Sequence, residues 1–111
     1  MMQKMCRLTK GDDFLAVRRM GKSYPDRLLV LLALRNTLTD TRVGLSVSRR
    51  VGNAVQRNRI KRMLREVFRA SVLMQGWDLV VIARHDAVKV DFIKLNVSAT
   101  TLLRRAGVLL S

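Results

Sequence analysis

Acids are scarce in this chain, and so are cysteine, aromatic rings and long apolar runs. Cys6 is the only cysteine, so no disulfide framework and no cysteine-based metal site can form. A buried or idle thiol suits a reducing compartment, and a cytoplasmic location is expected. The longest apolar run, Leu28 to Leu34, is bounded by Arg27 and Arg35. It falls far short of the roughly 20 residues needed to span a bilayer. The first residues, MMQKMCRLTK, lack the apolar core of a secretory signal, and no membrane role is expected. There is no internal repeat and no low-complexity linker. Asp plus Glu number 8 against 22 Lys plus Arg, a net charge of +14. Such an excess repels itself and destabilises a compact state. A partner that neutralises it would stabilise the fold by mass action, and nucleic acid, a dense line of phosphates, is the first candidate.

Catalytic constellations are missing too. There is no Ser-His-Asp spacing, no HExxH and no glycine-rich phosphate loop. The one close carboxylate pair, Asp12 and Asp13, is read as helix capping. His85 has no second His or Cys at ligand spacing and is read as a surface residue. If the protein belongs to an enzyme, something else supplies the chemistry.

What the chain does have is length and pattern for one domain over residues 1–111 with a small core. Residues 51–70, VGNAVQRNRIKRMLREVFRA, read as an amphipathic helix continuing to about Leu73. Ile60, Met63, Leu64, Val67 and Phe68 form one stripe at helical spacing. Asn58, Lys61, Arg62, Arg65 and Arg69 form the opposite stripe, with Arg57 and Arg59 on its flanks. Glu66 is the only acid there. A merely solvated face mixes signs to gain ion pairs, so this one points to an anionic partner. Asn53 is the cap candidate, and Arg49 and Arg50 extend the basic footprint. Asn58, among arginines, can donate to a phosphate or accept from a metal-bound water.

Elsewhere the pattern predicts a first helix over 9–20, with Thr9 and Asp12 as a capping-box variant. An edge strand follows at 22–24, then a turn at Pro25-Asp26. Residues 27–35 are apolar on both faces, hence a central strand. A hairpin should join this strand to 42–48, where Val43, Leu45 and Val47 alternate with Gly44, Ser46 and Ser48. The small polar face suggests a floor that a ligand backbone can approach. Residues 77–83 give a further buried strand, and Asp91 caps a last helix with Phe92, Leu95, Ala99, Leu102, Leu103 and Ala106 on one stripe. The order α-β-β-β-α-β-α defines an α+β (α/β sandwich) fold, with a small mixed sheet of about four strands and three helices. A parallel crossover through the basic helix would ordinarily be right-handed.

Gly52-Asn53-Ala54-Val55, Arg57-Asn58-Arg59-Ile60-Lys61-Arg62, Arg65 and Phe68 resemble the signature of the protein subunit of bacterial ribonuclease P. Leu8-Thr9, Asp13-Phe14, Val17 and Gly21-Lys22-Ser23 resemble that family's first helix and following turn. Residues 42–48 and 78–84 resemble the strands flanking the signature. The resemblance covers most of the chain, in order. It implies a sandwich with a left-handed crossover and a protein that binds the catalytic ribonuclease P RNA and the 5′ leader of precursor tRNA. The RNA, with Mg²⁺, would cleave the leader; no protein oligomer is required. It implies that Arg57, Asn58, Arg59, Lys61, Arg62 and Arg65 face the catalytic RNA. The residues themselves add Arg49, Arg50, Asn53 and Arg69 to that RNA-binding set, and the chemistry of its amide would suit Asn58 to a place near RNA-bound Mg²⁺. The resemblance also implies a leader groove lined by Phe14, Val30, Leu32 and Ser46, with Arg18 and Ser48 beside them. Many members carry an aromatic where this chain has Arg18 and Tyr where it has Leu32. Leader stacking should therefore be weaker here, partly offset by the charge of Arg18, and Leu32→Tyr should tighten precursor binding. The alternative is a non-catalytic RNA-binding protein of ribosomal type. A DNA-reading helix would want a companion helix where a strand stands. A membrane-surface helix would need its apolar stripe free of the sheet.

Overall fold

The computed structural model describes residues 5–110; residues 1–4, part of the amino-terminal stretch read above, lie outside them. Five strands form one mixed sheet: β1 (Met5–Arg7), β2 (Lys22–Pro25), β3 (Leu29–Arg35), β4 (Thr41–Ser46) and β5 (Trp77–Ala83). Their order is β1-β4-β5-β3-β2. β1, β4 and β5 run parallel, while β3 is antiparallel to both β5 and β2. Among the described residues, three α-helices, α1 (Gly11–Met20), α2 (Ala54–Ala70) and α3 (Phe92–Arg105), and one short 3-10 helix, His85–Lys89, complete the fold.

The expected hairpin between β3 and β4 does not form, because β5 lies between them. The reason is burial. β3 and β5 are both apolar on both faces and belong side by side in the interior of the sheet, where Leu29, Leu31, Leu79 and Val80 are at most 1% exposed. β4, with one small-residue face, pairs with β5 on one side and with β1 on the other. β1 itself is an addition to the expected strands.

Helices α2 and α3 pack on one face of the sheet. Ile60, Met63, Leu64, Val67 and Phe68 are all buried there with Leu95, Ala99, Leu102 and Leu103, as the helical periodicity predicts. Val43 and Leu45 of β4 and the following Val47 join this core. Phe92 does not belong to the α3 stripe: it is 40% exposed, and Ser98 takes a buried place instead, its hydroxyl donating to Asp26 Oδ2 at 2.5 Å. That bond moors α3 to the Pro25-Asp26 turn, whose carboxylate also accepts the Leu28 and Leu29 N–H groups.

Two helix boundaries differ from expectation. α1 starts at Gly11 with Lys10 as N-cap, and no side chain caps it; Thr9 makes no capping box. α2 stops at Ala70, where the Ser71 hydroxyl donates to the Val67 carbonyl at 2.7 Å. Residues 72–74 then leave the helix to pair with the chain's end through Leu110 N–H to Val72 O and Met74 N–H to Val108 O. Gly76, at φ +88°, is the turn residue before β5.

Candidate nucleic-acid interface

α2 begins with a reciprocal cap. Asn53 Oδ1 accepts the Gln56 N–H, and Gln56 Oε1 accepts the Asn53 N–H, each at 2.9 Å. The buried stripe fixes the helix's rotation on the sheet, which turns the opposite stripe outward. Asn58, Arg62, Arg65 and Arg69 are exposed, and Arg57, Arg59 and Lys61 are partly so. The Arg57 side chain donates to the Asn53 carbonyl at 3.4 Å, and Arg59 to the Val90 carbonyl at 3.2 Å. Both keep their charge uncancelled. Arg69 pairs with Glu66 at 3.1 Å, but both side chains are more than half exposed, so the pair contributes little. Among the described residues no acid pairs with Lys61, Arg62 or Arg65. Arg49, Arg50 and Asn53 are exposed beside the start of the helix. A row of unpaired guanidinium groups is suited to bidentate phosphate contacts.

The opposite face of the sheet is only partly covered. Register places its outward residues in rows: Arg42, Asp78 and Leu34; then Gly44, Val80, Leu32 and Ser23; then Ser46, Ile82, Val30 and Pro25. α1 crosses the first two. Phe14 lies so close on Gly44 that a Cβ there would fall 2.5 Å from its ring, and Val17 is fully buried with Leu8, Leu32 and Val80. The third row stays half-exposed and forms the floor of an open groove. At about 100° per residue, Asp13 and Arg18 fall on opposite flanks of the Phe14–Val17 stripe. Asp13 faces Arg42, so Arg18 overlooks the groove, and it is exposed.

This arrangement keeps Phe14, Arg18, Val30 and Ser46 at the groove, with Ser48 exposed beyond Ser46. It removes Leu32, which is 8% exposed beneath α1. The expected gain from Leu32→Tyr gives way to an overpacking cost of about 1–3 kcal/mol. Gly44 is likewise no open floor, because Phe14 occupies it. Two residues were missed. Ile82 sits in the floor between Ser46 and Val30. Arg84 continues the β5 alternation onto the same face, its N–H donating to the Leu28 carbonyl. Period-two counting from Val80 gives the face of both, but their place at the groove depends on β5 lying between β3 and β4.

A polar clasp holds α1 to the sheet. Arg42 donates to Asp78 through two nitrogens, at 2.9 and 2.6 Å, and to Asp13 at 3.0 Å; Asn36 adds a bond to Asp78 at 2.8 Å. Asp13 thus serves an ion pair rather than a cap. Burial pushes the Asp78 carboxyl up, but the bonds from Arg42 and Asn36 and the guanidinium charge outweigh it and hold the carboxyl below the usual range. The bonds to Asp78 raise Arg42 further above its already high value, against the opposing effect of burial.

Among the described residues there is no cluster of three His, Cys, Asp or Glu able to hold a metal. Asn58 stands among cations, where a Mg²⁺ would need most of its oxygen ligands from outside the chain. No described helix is long and apolar enough to cross a membrane.

Fold and surface together define a small α+β sandwich of the nucleic-acid-binding class, with a basic helix on one side and a groove on the other. The ribonuclease P family model matches residues 2–107. The ribonuclease P protein component of Natranaerobius thermophilus is 41% identical over 110 residues, covering 97% of this chain and 96% of that one. The structure of the Staphylococcus aureus RNase P protein superposes with a TM-score of 0.84 at 34% identity, covering 93% and 96% of the two chains. That of Thermotoga maritima gives 0.81 at 36% identity, covering 89% and 96%. The chain belongs to the ribonuclease P protein family. It is the protein subunit of that endoribonuclease, a ribonucleoprotein of tRNA processing, and not a ribosomal-type binder.

Proposed function

We propose that the outer face of α2 binds the catalytic RNA of ribonuclease P, while the groove beside α1 holds the 5′ leader of precursor tRNA. The observation that carries this reading is the cation row from Arg57 to Arg69, which among the described residues meets a single acid. Arg62 and Arg65, with Lys61, neutralise RNA phosphates and release counterions. Arg49, Arg50 and Asn53 extend the contact past the helix start. Val30, Ile82 and Ser46 give the leader a narrow half-apolar floor, and Arg18 and Arg84 offer charge at its margins. The leader would be held more by phosphate pairing than by stacking, since Phe14 is the one ring at the groove.

The chain supplies binding and orientation. Mg²⁺ acts in the assembled particle, held chiefly by RNA oxygens, with Asn58 placed to touch its hydration shell. A monomer suffices, and the cytoplasm is the expected place of work. Reconstitution is the test. The protein alone should cleave nothing; with the RNA at low Mg²⁺ it should release the 5′ leader at one position. Failure to stimulate the RNA would leave only a generic polyanion binder.

A further inference from the structure

β1 covers only part of the β4 edge. It pairs with residues 41–43, and the Leu8 N–H to Val43 carbonyl bond, at 2.9 Å, lies at its end. Among the described residues, no strand pairs with this edge from Gly44 onward. The Val43 carbonyl points toward β1, so by strand alternation the N–H and C=O of Leu45 point the same way, with no strand to receive them. They face a cleft of about 420 Å³. Its two walls are aromatic: Phe14 from α1 and Phe68 from α2. Its rim is Arg7, Lys61, Arg65 and Arg69, and among the described residues no acid lines it.

We propose that this cleft takes one unpaired nucleotide of RNA, and so links the α2 face to the α1 side of the sheet. The proposal rests on the RNA-binding reading above and gives it a specific site. Each part of a nucleotide meets a matching group. The phosphate meets Arg65, Arg7 and Lys61, cations without acidic partners among the described residues. The ring meets apolar and aromatic walls, as in other single-strand sites. The base edge meets the Leu45 backbone, a donor and an acceptor side by side. The volume is in the range of small-ligand sites. An open strand edge also invites an added peptide strand, but a wholly cationic rim favours the phosphodiester.

Cys6 makes the test possible. It is the only cysteine, lines the cleft and is partly exposed, so its alkylation by N-ethylmaleimide reports occupancy in the unmodified full chain. The rate is measured for the free protein, and then with ribonuclease P RNA, a single-stranded hexaribonucleotide or an acidic hexapeptide. Binding is followed separately by filter retention. At about ten times the dissociation constant, RNA and hexaribonucleotide should each slow alkylation about tenfold. Arg7→Glu should abolish protection by the hexaribonucleotide without changing the melting temperature. RNA that is retained while Cys6 reacts at its free rate would overturn the cleft and leave the α2 reading standing. Protection by the peptide and not by the hexaribonucleotide would overturn it in favour of a peptide strand. If RNA is not retained at all, the functional reading falls and the cleft falls with it.

Discussion

The two faces of the sheet are built to different standards. One is sealed by α2 and α3 over a continuous core that includes Leu29, Leu31, Leu64, Leu79, Leu95 and Leu103, each at most 1% exposed. The other holds a small cluster of Leu8, Val17, Leu32 and Val80, a charged clasp, and a row left half-open. Stability concentrated on the first face lets the second keep an unfilled surface. A groove for single-stranded RNA needs such a surface, and a chain with so large a net charge cannot leave both faces loose.

The contrast breaks first on core substitutions. Leu64→Ala removes a fully buried side chain from the sealed face and should cost about 3–4 kcal/mol in urea denaturation. Val17→Ala, on the half-open face, should cost about 2 kcal/mol, because fewer methyl groups leave and α1 can settle. Equal losses would mean that the faces share one core.

The clasp gives the next effect. Asp78→Asn leaves Arg42 without its main partner and should cost about 3 kcal/mol at neutral pH. The sign with pH is fixed by the lowered carboxyl value. The stabilisation is fully present above the unfolded value of about 4 and is lost as pH falls through the lower folded value. The wild-type acid limb should therefore lie below pH 4 and be steeper than that of Asp78→Asn. Parallel limbs would show that the clasp adds no charge-dependent stability. Asn53→Ala, which removes the reciprocal cap, should cost about 1 kcal/mol and weaken RNA binding both by fraying the first turn of α2 and by removing the Asn53 contact.

The sequence shows the α2 face more fully than the groove, and the reason is range. The α2 stripe and the Asn53 and Asp91 caps depend on neighbours within a few residues. The groove depends on which strands sit side by side. The insertion of β5 between β3 and β4 brings Ile82 beside Val30 and Ser46, and local alternation does not reveal that pairing. β1 is three residues long and pairs in parallel with a strand more than thirty positions away, so periodicity offers no sign of it. Leu32 shows the same limit: alternation names its face correctly, but only the path of α1 decides that it is covered.

Binding sharpens the contrast where stability does not. Arg62 is exposed on α2 and makes no ion pair among the described residues. Arg62→Ala should leave the urea midpoint within the roughly 0.5 kcal/mol typical of surface changes. If about six phosphates are neutralised, log K should fall with log salt by about five units per decade. This variant should reduce the slope by about one unit. An unchanged slope would remove Arg62 from the phosphate contacts.

The smallest effect tests the open row itself. Val30 lies in the groove floor, half-exposed, between Ile82 and Pro25. Val30→Thr keeps the β-branched shape and exchanges one methyl for a hydroxyl that can reach water. On the sealed face that exchange would be costly, whereas here it should cost less than about 1 kcal/mol of fold stability. A leader lying on the floor would lose on the order of 0.5–1 kcal/mol of apolar contact, or about two- to fivefold in affinity. Mature tRNA, which has no leader, should bind the assembled enzyme as before. The ratio of precursor to mature dissociation constants is therefore the quantity to measure. An equal loss for both would move the leader off this face and leave the open row without a ligand.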